Sequence, residues 1–355
     1  MAGPMSSPPP LVLGIETSCD DTACAVLDGE GRVLASVVSS QLAHRAYGGV
    51  VPEIASREHL RNWTPVAREA LAGAGAGFGD LDLIAATRGP GLVGALLVGL
   101  SIGKSLAYGL RRPFHAVHHL EGHLVSPFLD PDGGPAAPPP ERFVGLVVSG
   151  GHSTIFAVHG SDVATVAETR DDAMGEAFDK VGKRLGLPFP QGPRVDELAE
   201  RGDAAACPFP VPDCGPSLDF SYSGLKSQAL QAIERLERAG MRWAPEQGEE
   251  PPQPALDLLA GFRAAAVGQA LDRLERLHAR EPIPLLAVSG GAAANRLLRR
   301  ELVRWAAERS VELRLVPLVY SGDNAAMIAH AALLRHRRGL ADDPLAAEAE
   351  SRIAI

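Results

Sequence analysis

Two stretches far apart in the chain share one pattern, and it limits the fold more than any other feature. Residues 11–16 form an apolar run that enters the polar turn Thr17-Ser18-Cys19-Asp20, and a second apolar run, residues 23–27, follows. Residues 143–148 are again apolar, then come Ser149-Gly150-Gly151-His152-Ser153 and a further run at 154–158. A strand, a tight small-residue turn and a strand in each half point to duplicated lobes. Elsewhere strands alternate with helices through Gly/Ser turns. Residues 81–87 enter Arg88-Gly89-Pro90-Gly91 and an apolar helix, and residues 285–288 enter Ser289-Gly290-Gly291 and another. Ser321-Gly322-Asp323-Asn324 precedes a last helix at 325–338. This alternation predicts an α/β fold with ligands at the carboxyl ends of strands.

The rest of the chain fits that frame. A helix is expected at 52–72, with Arg57, Arg61 and Arg68 outward and a kink or break at Pro65. Further helices are expected at 172–187, from Ser223 to 239 and at 256–280, with a loop at 188–193. The Pro/Gly-rich stretch 130–141 is a natural lobe boundary, and residues 1–10 read as a disordered lead without the pattern of a signal peptide. Residues 91–110 are apolar enough to suggest a membrane span, but Lys104 and several Gly and Ser interrupt them, so a buried core helix is expected. The net charge of -9 excludes a global positive field, so any nucleic-acid binding needs a local basic patch or a partner. The four cysteines form no CxxC pair and read as reduced thiols of a cytoplasmic protein. No GxxxxGK[ST] is present, which excludes a P-loop.

The stretch His118-His119-Leu120-Glu121-Gly122-His123 carries the clearest chemistry. On a helix His119 and His123 lie on one face and can aim two imidazoles at one point, half of a metal site. Two ordinary helix-surface histidines would give the same spacing. A zinc protease is excluded on phase. Its glutamate directly follows the first histidine, whereas here Leu120 does, and Glu121 is turned ~100° further round the helix.

Taken together, several motifs resemble one family. They are Gly14-Ile15-Glu16-Thr17-Ser18-Cys19-Asp20-Asp21-Thr22, Gly48-Gly49-Val50-Val51-Pro52-Glu53, Gly89-Pro90-Gly91-Leu92 and His119-Leu120-Glu121-Gly122-His123. Val148-Ser149-Gly150-Gly151-His152, Gly175-Glu176-Ala177-Phe178-Asp179-Lys180, Ser223-Gly224-Leu225-Lys226 and Asp323-Asn324 complete the set. In this order they resemble the tRNA adenosine threonylcarbamoyltransferases, the TsaD family, over roughly residues 11–338. The resemblance implies an actin/Hsp70-like (ASKHA) two-lobed α/β fold. The first lobe would be residues 11–129, completed by the C-terminal helix 325–355, and the second residues 130–324.

The resemblance also implies a reaction: transfer of threonylcarbamoyl from threonylcarbamoyl-AMP to the exocyclic amine of the adenosine 3′ of the anticodon, in tRNAs reading ANN codons. It implies one divalent metal, iron(II) or else zinc, on His119, His123 and Asp323, with the adenylate substrate or ATP in the cleft. Val147, Val148, Ser149, Gly150 and Gly151 match substrate-phosphate contacts, Asp179, Gly192 and Asp196 ribose-side contacts, and Asn295 an adenine-side contact. Asp20 and Asp21 are the candidate bases. Implied partners are tRNA, a paralogous non-catalytic subunit, a small P-loop ATPase and a separate synthase that supplies the adenylate, with no membrane. Four departures stand out: Asp21 for the usual Glu, Gln191 before Gly192-Pro193, Gly322 and Ala325 around Asp323-Asn324, and no basic tail in residues 351–355. Arg57, Arg61, Arg88, Lys180, Lys183 and Arg184 are candidates for phosphate-backbone contact, or else solvated faces. Readings of another class are a non-catalytic scaffold subunit of the same complex and an actin-fold small-molecule kinase.

Overall fold

The computed structural model describes residues 10–245 and 248–355, less the side chains of Arg45 and Ala46. The expected disordered lead lies outside them, apart from an exposed Pro10. The chain forms two compact units. One holds the described residues up to Ala43 with Val50–Pro139 and Pro317–Ile355, and the other His44–Gly49 with Pro140–Val316. The lobe limits therefore fall after Pro139 and before Pro317, which places Asp323 in the first unit. The hydroxyl of Tyr320, donating to the Asp130 carbonyl at 3.4 Å, helps tie the later segment there.

In the first unit, strands β1 (Val12–Glu16), β2 (Asp21–Leu27), β3 (Val33–Ser40), β4 (Leu83–Gly89) and β5 (Phe114–His118) form one sheet in the order β3-β2-β1-β4-β5. β1–β2 and β2–β3 are antiparallel, whereas β1–β4 and β4–β5 are parallel. Every residue of β1 is buried, as expected for a central strand covered on both faces, while edge strand β3 alternates between half-buried and exposed. Helices α1 (Pro52–Gly73), α2 (Val93–Leu110) and α3 (His119–Val125) belong to this unit.

Two expectations change here. α1 runs through Pro65 without division: the proline is exposed, so the carbonyl that loses its partner faces water. α2 is covered on one face only, not buried as a core helix. Ala95, Leu96, Gly99, Leu100, Gly103 and Ala107 are buried, while Val93, Leu97 and Tyr108 are exposed. By length and composition alone it is the one described helix apolar enough to cross a membrane.

In the second unit, strands β6 (Arg142–Val148), β7 (Ser153–His159), β8 (Asp162–Glu168), β9 (Leu285–Ser289) and β10 (Glu312–Leu315) form a sheet in the order β10-β9-β6-β7-β8. Numbered from its own first strand this is again 3-2-1-4-5, with the same antiparallel and parallel pairings. The two half-exposed edge strands β8 and β10 carry charges and no apolar run, so the sequence pattern does not reveal them. Helices α4 (Met174–Arg184), α5 (Gln191–Ala199), α6 (Ser223–Arg238), α7 (Gln253–Arg280) and α8 (Arg296–Arg309) complete the unit. The loop expected at 188–193 instead opens α5 at Gln191. Pro193 sits in its first turn, where a helix needs no amide donor.

The chain then returns to the first unit as α9 (Ala325–Arg337), buried along most of its length. Its start lies against β1 at Gly14, where any Cβ would collide with the Ala325 carbonyl. α9 also packs on α3 at Gly122, where a Cβ would meet Ile328 Cδ1 at 2.9 Å and Met327 Cγ at 3.0 Å. Two glycines thus let three elements converge at the carboxyl end of β1. The core behind them includes Leu13, Ile15, Val26, Ile84, Leu100 and Phe114, each stabilising by about 1.5–3 kcal/mol on burial.

Candidate functional site

The histidine helix α3 starts where β5 ends, and the His118 side chain caps it by accepting the Leu120 amide. His119 and His123 are buried on one face of it, their rings edge to face with centroids 4.7 Å apart. Asp323 reaches them from the turn before α9. Asn324, not Asp323, caps that helix by accepting the Met327 amide, which leaves the Asp323 carboxylate to aim at the imidazoles. Asp323 Oδ1 lies 3.2 Å from His123 Nε2 and 3.5 Å from His119 Nε2, and the three candidate ligand atoms lie within 4.8 Å of one another. Metal bonds of about 2.0–2.2 Å set neighbouring ligand atoms roughly 3–3.5 Å apart, so this donor set fits a divalent ion. Glu121 instead pairs with Arg335 at 3.3 Å.

Carboxylates dominate the electrostatics of this end of β1. Burial alone would push Glu16 and Asp323 up, but the His119 imidazole beside them holds both below the usual carboxylate range. Burial opposes a charge on His119 too, yet Asp323 and Glu16 raise it to about 10. The same negative field favours any cation seated there. Asp21 opens β2. Burial raises its carboxyl to about 7, partly offset by a hydrogen bond with Ser40, and repulsion from Asp323, Asp20 and Glu16 adds to the rise.

Glu16 is a residue of this site to which sequence reasoning gave no role. It is fully buried, with Oε2 3.0 Å from His119 Nδ1, while Thr87 Oγ1 donates to it at 2.6 Å and the Ser18 amide donates to Oε1. It therefore fixes the ring of His119 with Nε2 toward Asp323, as outer-sphere carboxylates do for metal-binding histidines. Its signal was a carboxylate ending an otherwise apolar central strand, which must find a partner when buried. His59, also fully buried, bridges Thr22 Oγ1 at 2.8 Å and the Cys19 carbonyl at 3.0 Å, pinning the turn that carries Asp20 and Asp21.

The second unit gathers the remaining candidate residues around the carboxyl ends of β6 and β9. Val147 and Val148 end β6. Ser149 Oγ accepts the amides of Gly151 at 3.3 Å and His152 at 3.1 Å, and its carbonyl accepts the Gly175 amide at 3.1 Å. Gly150 and Gly151 have open space where a Cβ would stand. Gly290, after β9, packs against Val148 too closely for a side chain. Asp179 on α4 accepts the Gly192 amide at 2.7 Å, which joins α4 to the start of α5. Asp196 is buried, with Oδ1 taken by Arg263 at 3.0 Å and Oδ2 by the Arg296 amide at 3.1 Å. Asn295 caps α8 by accepting the Leu298 amide at 2.9 Å.

The candidate phosphate-contacting cations are largely committed. Arg61 pairs with Glu58, Arg88 with Glu350, Lys180 with Asp172 and Glu176, and Arg184 with Glu237. Lys183 donates to the Gly48 carbonyl at 2.8 Å. Arg57 is exposed and in no ion pair among the described residues.

Comparisons with known proteins give this arrangement a context. Residues 32–330 match the family described as tRNA N6-adenosine threonylcarbamoyltransferase. A protein of that name from Pelobacter propionicus is 46% identical over 324 residues, covering 90% of each chain. Another from Sorangium cellulosum is 44% identical over 355 residues, covering 97% of this chain and 96% of that one. Among solved structures, component A of the (R)-2-hydroxyglutaryl-CoA dehydratase of Acidaminococcus fermentans superposes with a TM-score of 0.53 at 14% identity, over 93% of this chain and 98% of that one. The fold, two sheets of identical strand order, is the duplicated α/β architecture of actin and Hsp70. By sequence along most of its length, the chain belongs to the tRNA N6-adenosine threonylcarbamoyltransferase family.

Proposed function

We propose that this protein transfers threonylcarbamoyl from threonylcarbamoyl-AMP to the exocyclic N6 amine of the adenosine 3′ of the anticodon, in tRNAs reading ANN codons. The observation that carries the reading is the convergence of His119, His123 and Asp323 in a chain of this family. These residues would hold one divalent ion, iron(II) or zinc, which when bound would supply Lewis acidity and a template for donor oxygens.

The chain's own groups do the rest. The turn at Ser149, Gly150 and Gly151, with Val147 and Val148 behind it, leaves open space at its two glycines suited to the donor phosphate. Asp179, Gly192 and Asp196 serve the ribose side and Asn295 the adenine. The amine nitrogen attacks the carbamoyl carbonyl carbon, the bond from that carbon to the phosphate oxygen breaks, and AMP departs with the bonding pair. The amine's proton passes to Asp20 or Asp21. Adenine N6 is a poor nucleophile because its lone pair is delocalised, so orientation and a matched base matter more than leaving-group help. A carboxyl raised to about 7 makes Asp21 the better matched of the two. A cytoplasmic setting follows from the tRNA substrate. A paralogous non-catalytic subunit, a small P-loop ATPase and the synthase that makes the adenylate are the expected partners.

Metal analysis paired with a tRNA transfer assay, on the wild type and on His119→Ala, tests the reading. Loss of both metal and transfer in the variant is the expected result. Equal metal and equal transfer would reject it and favour a non-catalytic scaffold.

A further inference from the structure

The segment that follows α9 runs back along the first unit and touches β5, α9, α2 and the end of β4. Asp342 bridges to the edge of β5: its amide donates to the Phe114 carbonyl at 3.1 Å, and its carboxylate accepts the Ala116 amide at 3.0 Å. The same carboxylate pairs with Arg335 at 3.3 Å, and Arg335 in turn pairs with Glu121 of α3 at 3.3 Å. Ala347 accepts Lys104 Nζ of α2 at 2.7 Å, and Ala347 and Ala349 pack on the apolar core. Beyond them the Glu350 amide donates to the Arg88 carbonyl at 2.9 Å, and the Glu350 side chain pairs with the Arg88 guanidinium. Gly89 lies so close to the Glu350 carbonyl that no Cβ would fit. The Gly91 amide donates to Ser351, and His118 Nε2 lies 3.2 Å from the Ile353 carbonyl.

His118 is the hinge of this arrangement. Its Nδ1 accepts the Leu120 amide at the start of α3, so Nε2 carries the hydrogen and donates to Ile353. The ring is thus held at both ends, one by the helix that bears His119 and His123 and the other by the returning segment. Glu121, midway along the same helix, is tied to the same segment through Arg335. A helix of seven residues has little stability of its own, and its position depends on such ties.

We propose that residues 340–353 are a positioning strap for the metal-binding helix, acting through His118 and through Asp342–Arg335–Glu121. The proposal rests on the metal reading of His119, His123 and Asp323. It assigns a role in the site to a segment that supplies no ligand, comparable to the outer-sphere groups that orient metal-binding histidines.

Two variants of the full chain test it: truncation after Glu348, and His118→Asn, which keeps an oxygen to cap Leu120 but is too short to reach Ile353. Two quantities are read on each: cobalt(II) affinity by competition with a chelating dye, and amide hydrogen exchange of residues 120–125 in the metal-free protein. Each variant is expected to bind cobalt about tenfold more weakly and to exchange faster in α3. Because both remove the His118–Ile353 contact, the two combined should weaken binding by less than the sum of their separate effects. Unchanged affinity and exchange in His118→Asn would overturn the proposal, as would fully additive effects; that variant decides alone if the truncated chain fails to fold. Wild-type protein binding no cobalt that His119→Ala abolishes would instead overturn the metal reading, with hydrogen exchange still judging the strap.

Discussion

The turn between β1 and β2 and the turn between β6 and β7 occupy the same place in two sheets of identical strand order, yet they are chemical opposites. The first is flanked by Glu16, Asp20 and Asp21 and faces two imidazoles and a fourth carboxylate. The second has no carboxylate. Its Ser149 hydroxyl gathers two backbone amides, and its glycines stand in open space. Crowded carboxylates and imidazoles suit a cation, whereas a turn without carboxylates and with open glycines leaves room for an anion. Strand pairing sets where each turn is, and side chains set what it binds.

The largest break in this contrast should come from Asp323→Ala. It removes the one carboxylate of the proposed ligand set and should lower tRNA transfer by about a thousandfold, with metal content falling in parallel. Asp21→Asn tests the base and should reduce transfer by about a hundredfold. With the Asp21 carboxyl raised to about 7, wild-type transfer should increase with pH through that value and level off above it, and the variant should lose this limb. The sign for stability is opposite. The folded protein keeps a proton that the unfolded chain releases near pH 4, so Asp21 destabilises the metal-free protein progressively from about pH 4 to 7. Asp21→Asn should flatten that decline in a chemical-denaturation series.

Glu16→Gln leaves the ligands in place and removes the charge behind His119. Metal affinity should fall about ten- to a hundredfold by chelator competition. The two smallest effects separate packing from binding. Gly14→Ala forces a methyl into the Ala325 carbonyl and should destabilise by about 1–3 kcal/mol in urea, displacing Asp323 as α9 shifts. Gly151→Ala meets nothing within 4 Å and should change stability by less than about 0.5 kcal/mol. Binding of an adenylate analogue, read by calorimetry, should nevertheless weaken, since the methyl occupies the space proposed for the donor phosphate. Equal loss of stability in both glycine variants would erase the distinction between the two turns.

Much of this was legible in the chain itself, because local rules suffice for it. Apolar runs broken by small-residue turns mark the duplicated strands, and the four-residue spacing of His119 and His123 places both rings on one face whatever surrounds the helix. Pro65 and Pro193 misled for local reasons: Pro193 sits in the first turn of α5, where no amide donor is needed, and Pro65 sits mid-helix on the exposed face of α1, where water takes the carbonyl left without a partner. The charged edge strands β8 and β10 take their form from a neighbour's hydrogen bonds rather than from their own pattern.

Only the tertiary structure decided which distant groups meet. Asp323, some 200 positions beyond His123, reaches the histidines because Gly14 and Gly122 let α9 seat against β1 and α3. Glu16 is a positioning group because burial leaves its charge no solvent and His119 stands within hydrogen-bond reach. Periodicity fixes which face a residue lies on, since that depends on the geometry of a few bonds. Partnership across the chain depends on packing between elements, which no local pattern encodes.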